Sequence, residues 1–192
     1  PQAPADATEL VEFIESITSR KTESSEVRGS RNMVDLCKLA ERYYFHPDTR
    51  GSSSLKTVLP ALMRSSAFLR DTYREPTYGS PRMPSLNLSE PVSWWVDTPG
   101  GVSDPYDLLP SVFDDYSRDK VALLSEGLPG ELQEGGAAMM AYARLQFESI
   151  DRCHRSAIET ALYRYCELDT LAMVMAVQAW QGWCNEAEVS AR

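Results

Sequence analysis

The sequence is poor in histidine, has no paired cysteines and is short of positive charge. Its two histidines, His46 and His154, have no partner at the spacing of a metal site or a catalytic triad. None of the four cysteines forms a Cys-x-x-Cys pair, and their spacings do not resemble a zinc site. With 28 acidic and 19 basic residues, the formal net charge is −9. That balance argues against a protein that coats nucleic acid non-specifically, but it leaves open a nuclease whose site is built from carboxylates.

Several familiar signatures are also missing. The sequence contains no Gly-x-Ser-x-Gly motif, no Walker-type loop and no catalytic Cys/His signature. It shows neither a signal peptide nor an apolar run long enough to span a membrane, so we expect a cytoplasmic protein without a membrane partner. The chain starts with Pro1 instead of Met, which suggests a piece of a longer protein.

The composition and the helical spacing of the apolar residues predict one mainly α domain. A length of 192 residues with 43% hydrophobic content is enough for a real core, so we treat 1–192 as a single domain. Apolar residues recur at helical spacing in most of the chain. The pattern predicts a helix at 6–19, a loop at 20–31, a strand end at Met33-Val34, a helix from Leu36 to Tyr43, a turn at 46–53, a short helix from Ser54 interrupted at Pro60, a helix at 65–73, a short helix and Gly-rich turn at 119–136, a helix at 137–150, and a long helical region at 152–183 bent near Cys166.

The stretch 74–118 differs from the rest. Seven prolines and three glycines make regular structure sparse there. Yet it also contains Trp94, Trp95 and Phe113, which are too apolar for a disordered linker. We expect an ordered, irregular insertion that packs on the domain.

A carboxylate in an apolar helix is the most informative local feature. Between Leu168 and Trp180 the only polar residues are Asp169, Thr170 and Gln178. An ionised Asp on a buried helix is costly unless a cation or several donors satisfy it. Tyr165 lies one turn earlier on the same face. Two readings remain open: a metal-ligating acid with a tyrosine that positions water for phosphodiester hydrolysis, or a core tyrosine with an Asp that caps a helix starting at Leu168.

A second candidate is the turn Gly51-Ser52-Ser53-Ser54-Leu55-Lys56. A small, hydroxyl-rich turn that enters a helix offers backbone N–H groups and a lysine, which together can bind phosphate through Ser54 and Lys56. An ordinary Ser N-cap beside a solvated lysine is the other reading. Asp35 is similarly either an N-cap or an acid that supports a metal site.

Six blocks of sequence resemble one bacterial family. They are Met33-Val34-Asp35-Leu36, Tyr44-x-His46-Pro47, Gly51-Ser52-x-Ser54-Leu55-Lys56-x-Val58-Leu59-Pro60-Ala61-Leu62, Asp104-Pro105-Tyr106-x-Leu108-Leu109-Pro110, Gly135-Gly136-Ala137-Ala138-Met139, and Tyr165-Cys166-Glu167-Leu168-Asp169-Thr170-Leu171-Ala172-Met173. The resemblance spans roughly 33–180 and keeps the order of the blocks. The family is catalogued as a domain of unknown function and is regarded as having a ribonuclease-H-like exonuclease domain of the DnaQ (DEDD) type.

The resemblance implies roles for two residues. Asp169 matches the last metal-binding acid of the DEDD set, and Tyr165 matches the tyrosine that orients the attacking water in one subclass. The implied cofactor is a pair of Mg²⁺ or Mn²⁺ ions, and the implied partner is DNA or RNA. The implied fold is the C-terminal portion of an α/β ribonuclease-H-like domain, with the helix of Asp169 against a mixed sheet.

The chain departs from the family at its first motif. An Asp-x-Glu on an opening strand has no counterpart before residue 33. One aspartate cannot hold two divalent cations, each of which takes about six oxygen ligands. We therefore expect a fragment that is inactive alone and needs the upstream part of the same protein. The alternative is a non-catalytic helical interaction or scaffold module, in which the Trp- and Pro-rich stretch 90–113 docks a partner.

Overall fold

The computed structural model describes residues 7–21, 25–110 and 135–190. The chain divides into two compact units, Pro1–Tyr44 and Phe45–Arg192, which are described separately. Most of the described residues are helical, so the prediction of a mainly α chain is confirmed. In the described ranges, no helix is both long and apolar enough to cross a membrane.

The first unit is two helices joined by a β-hairpin. Helix α1 (Ala7–Ile17) leads into strands β1 (Ser19–Lys21) and β2 (Glu26–Arg28), which pair antiparallel, and α2 (Leu36–Tyr43) follows. The hairpin replaces part of the loop predicted at 20–31. Gly29 fits here because a Cβ would lie 2.3 Å from the carbonyl oxygens at the end of α1.

The residues before α2 act as a helix cap. The Asp35 carboxylate accepts a hydrogen bond from the Lys38 N–H at 3.1 Å, so the N-cap reading of Asp35 is correct. Met33 and Val34 are exposed and lie outside any strand, so the strand end predicted there is wrong. Their apolar character alone suggested the strand.

The second unit begins with a turn and two helices. A 3₁₀ turn (Pro47–Thr49) leads to α3 (Leu55–Ser65) and α4 (Ala67–Tyr73). The interruption predicted at Pro60 is wrong, since α3 continues through it. A proline inside a helix costs about 3 kcal/mol. Burial of the apolar side chains on both sides of it outweighs that cost; the buried residues are Val58, Leu59, Ala61, Leu62 and Met63.

The segment from 74 to 110 contains little regular secondary structure, while 111–118 of the predicted insertion lie outside the described residues. It contains two-residue strands β3 (Asp97–Thr98) and β4 (Gly101–Val102) and a 3₁₀ turn (Pro105–Leu108). Trp94 and Trp95 are 1% and 9% exposed. The segment is therefore held to its unit by large apolar side chains and individual hydrogen bonds, with little strand pairing.

Two further helices complete the second unit. Helix α5 (Gly135–Phe147) begins at Gly135 itself, two residues before the predicted start. Of the short helix and Gly-rich turn predicted at 119–136, only the two glycines 135 and 136 are described, and they are part of α5. Helix α6 (Arg152–Ser190) has 39 residues and runs without a break through Cys166. It is roughly 58 Å long. Its buried positions recur every three or four residues, so one face of α6 packs against α3, α4 and α5.

Candidate functional site

Asp169 lies in the middle of α6 and not at a helix start. The helix begins 17 residues earlier at Arg152, which excludes the reading in which Asp169 caps a helix starting at Leu168. Tyr165, one turn before it, is 6% exposed, and Asp169 is half-buried. Helix α6 is buried on one side only, since Met173 and Val174 are 42% and 45% exposed. Asp169 therefore stands beside the buried stripe of α6 and not inside a fully enclosed helix.

The Asp169 carboxylate accepts a hydrogen bond from a tyrosine of the irregular segment. The Tyr106 hydroxyl donates to Asp169 Oδ1 at 2.5 Å. Tyr106 itself is 3% exposed. Burial, followed by the neighbouring Asp169 carboxylate, raises the pKa of Tyr106 well above its usual range, so the hydroxyl keeps its proton and remains a donor.

Lys56 joins the same cluster through its ammonium group. Its Nζ lies 5.0 Å from the ring centroid of Tyr106 and 4.9 Å from that of Tyr165. The two rings are themselves 5.9 Å apart and tilted by 48°. A cation within about 6 Å of an aromatic face is attracted by the ring quadrupole. Two tyrosines thus hold the positive charge of Lys56 in the neighbourhood of Asp169.

A tight turn places Lys56 in the first helical turn of α3. Arg50 and Gly51 both have positive φ, 49° and 81°, which reverses the chain just before the helix. Ser54 is the N-cap residue of α3, but its side chain makes no capping hydrogen bond. Its backbone N–H donates to Ser52 Oγ at 3.2 Å. The structure therefore brings Lys56, Tyr165 and Asp169 into one cluster and leaves Ser54 at the helix entrance, two residues from Lys56.

Sequence reasoning gave no role to Tyr106 or to Asp104. Asp104 caps the 3₁₀ turn, accepting the Tyr106 N–H at 3.0 Å, and Pro105 occupies the first position of the turn. Burial raises the pKa of Asp104, against the opposing effects of that hydrogen bond and of Lys56 and Arg64. An Asp-Pro pair is a recognisable start signal for such a turn. The signal predicts the turn but not the target of the Tyr106 hydroxyl, which lies 63 positions away along the chain.

A second tyrosine–carboxylate pair involves Glu167, two residues before Asp169 on α6. Glu167 accepts hydrogen bonds from the Tyr78 hydroxyl at 2.7 Å and from the Asn87 amide at 2.6 Å. Partial burial alone would raise the pKa of Glu167, but hydrogen bonds from Ser85, Tyr78 and Asn87 outweigh it and hold that pKa below its ordinary value. The pair ties the irregular segment to the helix.

Buried tyrosines of this unit predict a loss of stability at alkaline pH. Burial raises the pKa of Tyr73 and, together with the Glu167 carboxylate, that of Tyr78. As pH rises past about 10, a tyrosine loses its proton more readily in the unfolded chain than these two do in the fold, so the free energy of unfolding falls. Each such group contributes up to about 1.4 kcal/mol per pH unit. The measurement is the free energy of unfolding in urea between pH 9 and 11. It should decline less steeply with pH in Tyr78→Phe than in the wild type, and as steeply as in the wild type in Tyr163→Phe, whose ring is 61% exposed. Equal slopes in all three proteins would contradict a raised pKa of Tyr78 in the fold.

The described residues do not by themselves form a metal site. No group of three or more His, Cys, Asp or Glu side chains is close enough to hold an ion in the ranges 7–21, 25–110 and 135–190. Asp169 fits the role of a single ligand, because its carboxylate is half-buried and one oxygen is fixed by Tyr106. A carboxylate of this kind is the oxygen ligand that Mg²⁺ and Mn²⁺ prefer.

Comparison with protein-family models, with curated proteins and with solved structures returned no match for this chain.

Proposed function

We propose that this chain is the C-terminal part of a metal-dependent nuclease that hydrolyses phosphodiester bonds of DNA or RNA from a 3′ end. The domain would be ribonuclease-H-like, with its early strands and the remaining metal-binding acids supplied from outside this chain. The observation that carries the proposal is the meeting of Lys56, Tyr165 and Asp169. The sequence alone indicated these three residues as parts of one phosphodiester-cleaving site, and Lys56 lies more than 100 positions before the other two along the chain.

Each residue of the cluster has a defined task in this proposal. Asp169 contributes one oxygen ligand and Tyr165 orients the attacking water. Lys56 supplies a positive charge for the phosphate, assisted by Ser54 at the start of α3. A pair of Mg²⁺ or Mn²⁺ ions, when bound, stabilises the attacking and leaving oxygens of the reaction.

The placement of Lys56 supports the phosphate role on electrostatic grounds. A chain of net charge −9 repels nucleic acid in general, so binding must depend on local positive charge. The rings of Tyr106 and Tyr165 hold the Lys56 ammonium on the side of the cluster that α3 forms. Lys56 is half-buried there. A fixed, partly desolvated charge attracts a phosphate more strongly than a fully solvated lysine does.

A second candidate function is a non-catalytic helical scaffold. It is favoured by the Tyr106 hydrogen bond, since a carboxylate that accepts from a buried tyrosine is satisfied without any metal. Trp94 and Trp95 are buried in their own unit, so a docking surface in this stretch would have to use other residues.

Cleavage of labelled oligonucleotides separates the two functions. The protein expressed from its complete reading frame is mixed with 5′-labelled single-stranded DNA or RNA and Mn²⁺, with a parallel sample in EDTA. We expect a ladder that shortens progressively from the 3′ end and stops in EDTA. Intact DNA and RNA with both Mn²⁺ and Mg²⁺ would contradict the nuclease and favour the scaffold.

A further inference from the structure

Two tyrosine–carboxylate pairs lie two residues apart on the same helix, and their surroundings differ. Tyr78 donates to Glu167 at 2.7 Å and Tyr106 donates to Asp169 at 2.5 Å. Both tyrosines are buried, with 8% and 3% of their surface exposed. Only the second pair is part of the cluster that contains Tyr165 and Lys56. The Tyr78–Glu167 pair can therefore serve as a control, because its loss measures what such a hydrogen bond contributes to the stability of the fold alone.

Tyr106 is held in place by contacts that do not involve its hydroxyl. Asp104 caps the 3₁₀ turn through the Tyr106 N–H, and the neighbouring Pro105 is buried. The ring packs at 5.9 Å from the Tyr165 ring, with the Lys56 ammonium on it. The ring position is therefore set by the turn and the aromatic contacts, and the hydroxyl is a rigid donor aimed at α6.

A rigid donor restricts the carboxylate that it meets. The terminal torsion of an Asp side chain is soft, so a half-buried carboxylate rotates unless a partner fixes it. A hydrogen bond to Oδ1 fixes that rotation and with it the direction of Oδ2. Hydrogen bonds of this kind, made to the ligands of a metal, orient them and typically contribute 10–100-fold to metal affinity or activity.

We infer that Tyr106 is a positioning residue for Asp169, orienting its carboxylate toward the divalent cation of the proposed function, on which this inference rests. Tyr106 does not touch the reacting atoms. It acts through Asp169, and its hydroxyl is the part that matters.

Manganese affinity measured by electron paramagnetic resonance tests the inference. The protein expressed from its complete reading frame is titrated with Mn²⁺ as wild type, Tyr106→Phe, Asp169→Asn and the matched control Tyr78→Phe. We expect Tyr106→Phe to weaken Mn²⁺ binding by about 10–100-fold and Tyr78→Phe to leave it unchanged. Both variants lose one hydrogen bond to a carboxylate on α6, so their unfolding midpoints should fall by similar amounts, which removes a loss of stability as the explanation. In the same proteins, cleavage by Tyr106→Phe should need more Mn²⁺ for half-maximal rate and recover most of kcat at saturation.

The outcomes separate this inference from the proposed function. Mn²⁺ binding that weakens in Asp169→Asn but is the same in Tyr106→Phe, Tyr78→Phe and the wild type would overturn the role of Tyr106 and leave the nuclease proposal standing. Mn²⁺ affinity in Asp169→Asn equal to that of the wild type, or no Mn²⁺ binding by the wild type, would overturn both.

Discussion

Asp169→Asn should reduce Mn²⁺-dependent cleavage by about 10²–10³-fold. A metal-bound site stabilises transition-state charge by several kcal/mol, and each 1.4 kcal/mol lost is about a tenfold loss of rate. Asn keeps the shape of Asp and a carbonyl oxygen that accepts from the Tyr106 hydroxyl, but it loses the negative charge. The variant should therefore keep its fold while it loses its metal ligand.

The measurement is the initial rate of cleavage at saturating Mn²⁺, paired with the free energy of unfolding of the same preparation. Glu186→Gln is the matched control, since it removes one negative charge from an exposed position of the same helix. We expect the control to cleave at the wild-type rate. Wild-type cleavage by Asp169→Asn would show that the acid is structural.

Trp94→Ala should lower the free energy of unfolding by about 3–5 kcal/mol, the cost usual for removal of a large buried aromatic side chain. Trp94 is 1% exposed and packs edge-on against Tyr78, with ring centroids 5.9 Å apart. Its backbone N–H donates to the Tyr73 carbonyl at 3.0 Å, so the ring sits where the irregular segment meets α4. Its removal leaves a cavity beneath that segment and weakens the support of Tyr78.

Trp94→Phe separates ring packing from hydrogen bonding. Within the described residues, the Trp94 indole N–H is buried and has no hydrogen-bond partner. An unsatisfied buried donor costs about 1–3 kcal/mol, so a phenyl ring offsets part of its lost volume by removing that donor. The free energy of unfolding of Trp94→Ala, measured in urea, should be well below that of Trp94→Phe. The control Leu86→Ala changes a 99% exposed position and should lie within about 0.5 kcal/mol of the wild type. A Trp94→Ala protein as stable as Leu86→Ala would contradict the packing described here.

The sequence pattern was enough to locate the helices, but it predicted a false break in α3 and missed the hairpin of the first unit. Apolar spacing located α3, α4 and α6, because a buried stripe is a property of the helix itself. It failed at Pro60, since the local cost of proline is outweighed by burial that only the folded chain provides. It failed again at 20–31, where three-residue strands are too short to carry an alternating pattern.

The sequence predicted part of the candidate site, because helical spacing alone relates two of its residues. Tyr165 and Asp169 are four residues apart, so helical geometry alone places them together. Lys56 was chosen for its turn and not for any expected contact with Tyr165. Tyr106 was missed because a hydrogen bond between distant segments leaves no periodic trace.

Three tyrosine hydroxyls, each from a different part of the second unit, meet α6: Tyr73 at Gln178, Tyr78 at Glu167 and Tyr106 at Asp169. Apolar side chains tolerate a helix that slides or rotates slightly, whereas hydrogen bonds have one correct distance and direction. These hydrogen bonds are spread over about three turns of α6. Together they determine both the rotation of the helix about its axis and its position along that axis. One residue inserted between 169 and 178 would turn the helix by about 100° and break the set. The same residue added after 180 would leave all three hydrogen bonds in place, so these bonds fix α6 only as far as Gln178.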